Sequence, residues 1–196
     1  MSSFEYLVAL VSIVAGLGLT RALSGIARVV HARGDRSLSG VHLAWTGSVL
    51  LWLVSFWWFT FLLESIDTWT TPLLLFVLLY GAVIYFLIAL LYPDELDAGT
   101  DPLAYFLDNR RWFFGTFLAL GVLDLMDTWL KYRLIENLPP MIPYSLLMIS
   151  WISLGTLGVL SASRAFHRAF AYPWVVVMGL WVTTMLFELG PRSAIE

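Results

Sequence analysis

Asp124, Asp127 and Lys131, in the run LGVLDLMDTWLKY (Leu120–Tyr132), are the residues of this chain best suited to chemistry. Their spacing of three and then four residues puts all three on one face if the run is helical. A carboxylate in that position can hold a cation, exchange a proton or pair with the lysine. The run closes a long apolar segment, so the first matter is why it carries acids at all.

Other chemistries have little to work with. The chain has no cysteine, which excludes disulfides, cysteine-ligated zinc, iron–sulfur clusters and thiol catalysis. Lipase-type GxSxG, phosphate-loop, HExxH and dinucleotide signatures are absent. His31, His42 and His167 have neither HxxxH nor HxH spacing, so no metal site is expected. Ten tryptophans could suggest a pigment, but the one lysine falls at a segment boundary, where a retinal-type Schiff base would not be placed. An enzyme built from this chain would act on lipid or quinone with carboxylates and arginines alone. The expectation is therefore a protein without catalysis or cofactor.

What must position the acids follows from composition. Of 196 residues, 60% are hydrophobic and 13% charged, against about 25% charged in a soluble domain. The formal charge of −3 and the absence of a basic run give no reason to expect nucleic acid. The pattern predicts an all-α integral membrane protein, a compact bundle of six transmembrane helices with short loops, forming a single domain over 1–196. Six segments approach the roughly 20 residues a crossing needs, at about 4–26, 42–64, 72–92, 111–131, 142–162 and 170–189. Met1–Glu5 lacks a basic leader, so the first segment reads as a retained span. Pro72, Pro93, Pro143 and Pro173 are expected at segment ends, where a missing backbone donor costs least. Asp101–Pro102 resembles a helix start, followed by a short interfacial stretch.

Basic residues orient the bundle. Arg21, Arg28, Arg33, Arg36, Arg110, Arg111, Arg164 and Arg168 fall on one side, and only Lys131, Arg133 and Arg192 on the other. Basic loops stay in the cytoplasm, so both termini are expected on the non-cytoplasmic side of the cell (inner) membrane. The outer side is then rich in acids: Glu64, Asp67, Asp124, Asp127 and Glu188 all approach outward helix ends.

Depth separates these acids. Counted from Trp112 at about 1.5 Å per residue, Asp124 lies about 18 Å into its span and Asp127 about 22 Å. A carboxylate at helix centre costs about 2.5–3.5 kcal/mol on insertion scales, and a helix C-terminus makes it worse. Asp127 has an ordinary account, an interfacial pair with Lys131 beside the anchor Trp129. Asp124 does not. Its structural alternative is a buried network with a Tyr, Ser or Arg.

Two stripes of small residues, Gly18–Ala22–Gly25 and Ser150 to Ala162, would let helices approach closely. Arg21 and Arg28 could snorkel to headgroups, or form an inner gate or lipid-phosphate contact. LESIDTW (Leu63–Trp69) echoes LDLMDTW (Leu123–Trp129), a weak hint of duplication. Two functions are thus expected to compete. One is a cation- or proton-linked transporter or channel, with Asp124 inside an acidic vestibule of Asp127, Glu64, Asp67 and Glu188. The other is an accessory or assembly subunit binding partner helices or lipid. Its expected partners are the bilayer, a cation or proton, and a second copy or another membrane protein.

Overall fold

In a computed structural model, described here for residues 3–31, 39–66, 68–92, 102–135 and 142–188, the chain is all helical. The elements are α1 (Ser3–His31), α2 (Gly40–Phe59, tightening into a 3₁₀ stretch over Thr60–Ser65), α3 (Thr71–Leu91), α4 (Pro102–Asp108), α5 (Arg110–Leu134), α6 (Ile142–Leu160) and α7 (Arg164–Glu188). Four stretches are long and apolar enough to cross a membrane: Phe4–Arg28, Gly40–Ser65, Thr71–Leu91 and Arg110–Leu134. Helices of this kind suit a bilayer because every backbone donor and acceptor is satisfied within the helix. Tyr144–Leu160 is apolar but shorter. In α7, Tyr172, Trp174 and Trp181 reduce hydropathy, although such rings sit comfortably near headgroups.

Prolines mark three of the seven helix starts among the described residues. Pro72 occupies the first turn of α3, Pro102 opens α4, and Pro143 is the second residue of α6. Pro173 corrects the expectation. It lies inside α7, which begins at Arg164 rather than near 170. Ser163 supports that earlier start, its carbonyl accepting from His167 N–H (3.2 Å) and its hydroxyl from Phe166 N–H (3.4 Å). The proline therefore removes one donor from an established helix. Pro93 and Asp101 lie outside the described residues.

The bundle is organised around α2, which packs against α1, α3 and α7, while α5 packs against α3 and α6. Leu7, Val11, Leu63, Ile66 and Val77 form a small apolar cluster at the end where α1 and α3 begin. The main core is aromatic. Trp45 meets Phe113, Phe114 and Phe117 edge-on at 5.2–5.5 Å, and Phe106 of α4 closes the cluster from beneath. The stretch expected at the interface is thus partly buried, with Leu103, Phe106 and Leu107 in the core.

The first small-residue stripe is filled from within the chain, and the second at its glycines. Gly18 faces Leu53 and Ile88, and Gly25 faces the ring of Tyr92. Gly155 and Gly158 face Leu118 and Phe114. A Cβ at Gly25 would run into the Tyr92 ring, whose hydroxyl is fixed by a 2.8 Å bond to Thr46 Oγ1. Gly25→Ala is expected to destabilise the fold by about 1–3 kcal/mol, the usual cost of overpacking. Gly16, with nothing within 4 Å of an added Cβ, should accept alanine without loss. Thermal melts of the two variants in detergent check this; coincident midpoints would show that the Tyr92 contact does not constrain α1.

The echoed words fold differently. Leu63–Ser65 ends the 3₁₀ stretch, whereas Leu123–Trp129 is continuous α-helix, and Glu64 is exposed where Asp124 is buried. Equivalent letters do not occupy equivalent places.

Candidate functional site

Asp124, Asp127, Thr128 and Lys131 follow one another at helical spacing on α5 and line a single cavity. A second stripe faces them from α2: Trp52, Ser55, Phe56 and Phe59 repeat the same three- and four-residue spacing. Tyr80 of α3, Tyr144 of α6, and Trp181 and Met185 of α7 complete the walls. The cavity offers about 70 Å³ to water centres, room for a few waters, since one needs about 10–15 Å³.

Asp124 sits at its deep end and is 7% exposed. The Tyr80 hydroxyl donates to Asp124 Oδ1 at 2.8 Å, and the Tyr144 hydroxyl donates to Oδ2 at 2.7 Å. Trp52 Nε1 donates to Tyr80 Oη at 2.9 Å, and Phe56 stacks on the Tyr80 ring at 4.8 Å. Each group orients the next, so the carboxylate is held on both oxygens. Hydrogen bonds to a charged group are worth about 1.5–3 kcal/mol each. Removing an ion from water costs several kcal/mol even after relaxation. The two phenols thus offset much of the burial cost while adding no positive charge.

Asp127, one turn nearer the helix end, pairs with Lys131 at 2.5 Å, and both are partly exposed. Arg133 lies over the Trp129 ring at 5.5 Å, and Trp129 is itself exposed. This part of the run is the ordinary charged helix ending its composition suggested. With both acids ionised the cavity carries one net negative charge.

Aromatic side chains close the floor. Trp52 meets Trp151 at 4.6 Å, Trp151 stacks on Phe117 at 4.7 Å, and Trp174 joins them edge-on. Beneath lies a void of only about 10 Å³ among Val49, Leu87, Leu120 and Met178, at the lower limit for one water. The column continues through Trp45, Phe113, Phe114 and Phe106 to His42 and His167. The cavity therefore belongs to the Lys131 end of the bundle alone.

The remaining candidates are dispersed. Glu64 is exposed on the 3₁₀ stretch and does not line the cavity. Asp67 lies outside the described residues; Glu188 ends α7, but its side chain also lies outside them. At the opposite end, Arg21 donates to the Tyr92 carbonyl at 2.7 Å, which ties α1 to the end of α3. Arg28 is exposed in the last turn of α1. His42, His167 and His31 each bond a backbone carbonyl, of Leu91, Ser161 and Ala27 respectively. Among the described residues, no group of three His, Cys, Asp or Glu side chains is placed to hold a metal.

Sequence reasoning allowed a tyrosine partner for Asp124 but did not find Tyr80 and Tyr144, which hold it, or Trp52, which orients Tyr80. No family model, curated protein or solved structure matches the chain.

Proposed function

We propose that the chain is a six-span protein of the cell (inner) membrane, with both termini on the non-cytoplasmic side, that binds a cation or proton at Asp124 and transports it. One observation carries the reading: a buried carboxylate is oriented by two neutral phenols and faces a cavity within an apolar helical bundle. Intramembrane ionisable groups commonly mark ion or proton pathways. Asp127 and Lys131 stand at the mouth, and Glu64 adds negative potential at the same end. Asp67 and Glu188, which lie outside the described side chains, are proposed as further acids of this site on their sequence position alone. The aromatic floor closes the other half, so transport requires Trp52 and Trp151 to part. The chain then alternates between a state open at the Lys131 end and one open at the arginine-rich end.

The accessory-subunit reading keeps part of its support: Gly18, Gly25, Gly155 and Gly158 are covered by Leu53, Tyr92, Leu118 and Phe114 of the same chain, whereas Ser150, Ser153, Thr156 and Ala162 of the second stripe stay exposed.

The orientation has a direct test, made clean by the absence of native cysteine. Arg133→Cys in intact cells is expected to react with a membrane-impermeant maleimide, and Ser163→Cys only after permeabilisation. The reverse pattern overturns the orientation. Transport is tested with the purified chain in liposomes carrying an internal pH dye, under imposed proton, sodium, potassium and ammonium gradients. Flux above that of protein-free vesicles supports the reading; its absence under every gradient rejects it.

A further inference from the structure

We infer that the ion fitted by the Asp124 cavity is a small primary ammonium, of the methylammonium or ethylammonium class, rather than a metal ion. This rests on the reading of Asp124 as the ion-facing group and goes beyond it to the chemistry of the ligand.

Three features of the cavity converge. First, its walls are largely aromatic: Trp52, Phe56, Phe59 and Trp181 line it along with the tyrosines. A hard cation such as sodium or calcium must replace its water with a shell of oxygen ligands. Aromatic faces supply none. They do attract an organic ammonium, through the negative face of the ring quadrupole.

Second, the acceptors are placed for N–H donors. A carboxylate offers about four lone-pair sites, and the Tyr80 and Tyr144 hydroxyls occupy two of those on Asp124. The others can accept from an ammonium. Thr128 and Ser55 add hydroxyl oxygens on facing helices; the Ser55 proton is committed to the Leu51 carbonyl, so its oxygen presents lone pairs. A quaternary ammonium has no N–H to use these acceptors.

Third, the size is restrictive. About 70 Å³ is roughly half of an engineered apolar cavity that admits benzene, about 150 Å³. A one- or two-carbon ammonium fits that space. The protein itself supplies a precedent: the primary ammonium of Lys131 sits on Asp127 in the same cavity. Asp124, one turn deeper, is met by phenols instead.

Tryptophan fluorescence provides the test, because Trp52 and Trp181 line the cavity. The purified full chain in detergent is titrated with methylammonium, tetramethylammonium and sodium chloride at matched ionic strength, and Asp124→Asn is titrated in parallel after its melting midpoint confirms folding. The expected result is a saturable response to methylammonium, at least tenfold tighter than to the other two cations and weakened at least tenfold in Asp124→Asn. A stronger response to sodium, equal or tighter binding of tetramethylammonium, an undiminished response in Asp124→Asn, or no saturable response at all overturns the inference. The same cations imposed as gradients across liposomes separate this outcome from the transport reading. Methylammonium binding without flux of any ion rejects transport and leaves the ligand class standing. Proton or sodium flux without methylammonium binding does the reverse.

Discussion

Asp124→Asn is expected to reduce cation- or proton-dependent flux in liposomes to the level of protein-free vesicles, while the protein stays folded. The substitution is nearly isosteric, and each phenol retains a partner. Tyr80 can still donate to the amide oxygen, and the Tyr144 hydroxyl can turn to accept from the amide NH₂. Burial of a charge is replaced by burial of a hydrogen-bonded amide, so the melting midpoint should hold or rise. Only the negative charge is lost, and it is the strongest feature of the deep site that discriminates for a cation. Even a tenfold loss would correspond to about 1.4 kcal/mol of ion stabilisation; removal of the sole deep charge should exceed that. Asp108→Asn, an exposed acid of α4 away from the cavity, is the control and should transport as the unaltered chain does. Wild-type flux in Asp124→Asn would mean that the carboxylate is a structural tie between α3, α5 and α6 and nothing more.

The acidic face of α5 was legible because charge is rare in this sequence. In a span of leucines and phenylalanines, Asp124, Asp127 and Lys131 stand out, and their spacing fixes their common face. The opposing walls were not legible for the converse reason. Alpha2 and α3 are apolar nearly all round, and a helix of that kind carries no hydrophobic stripe to reveal its rotation. Nothing in GAVIYFL or LLYGA marks Tyr80 as turned inward and Tyr85 as turned out, yet Tyr80 is 3% exposed and Tyr85 37%. That choice is made by packing, here by Phe56 stacking on one ring and Trp52 bonding its hydroxyl.

Helix boundaries show the same division. Pro72 and Pro143 sit where a missing donor is harmless, and α3 and α6 begin beside them. Pro173 looked equivalent but falls inside α7, because Ser163 and the His167 contact with the Ser161 carbonyl start that helix earlier. Local chemistry at Ser161 and Ser163 outweighed the proline. The small-residue stripes were correctly read as sites of close approach, but sequence could not say which helix approaches. The answer, α3 and α2 on α1 and α5 on α6, draws Gly18, Gly25, Gly155 and Gly158 of those stripes into the chain's own core.

Trp151→Ala is the substitution expected to cost the fold most, and it tests the floor of the cavity at the same time. Trp151 is 1% exposed, stacked on Phe117, edge-on to Trp52 and Trp174, and bonded through Nε1 to the Phe117 carbonyl at 2.8 Å. Large-to-small changes at buried aromatic sites cost about 3–5 kcal/mol in soluble proteins. Within lipid the transfer part of that cost falls, because the separated helix meets hydrocarbon rather than water, and lost packing remains. About 3 kcal/mol is the expectation here, read as a reduced unfolding midpoint in a denaturing-detergent titration. Gly121 lies against the same indole, so the space vacated adjoins α5 directly. It would join the void of about 10 Å³ beneath to the cavity of about 70 Å³ above. If the floor is the barrier between the two halves of the bundle, Trp151→Ala should also leak protons in liposomes without any added cation. Trp151→Phe, which keeps a ring in place, should restore most of the stability and stop the leak. A destabilised but proton-tight Trp151→Ala would place the barrier deeper in the column, at Trp45 and Phe113.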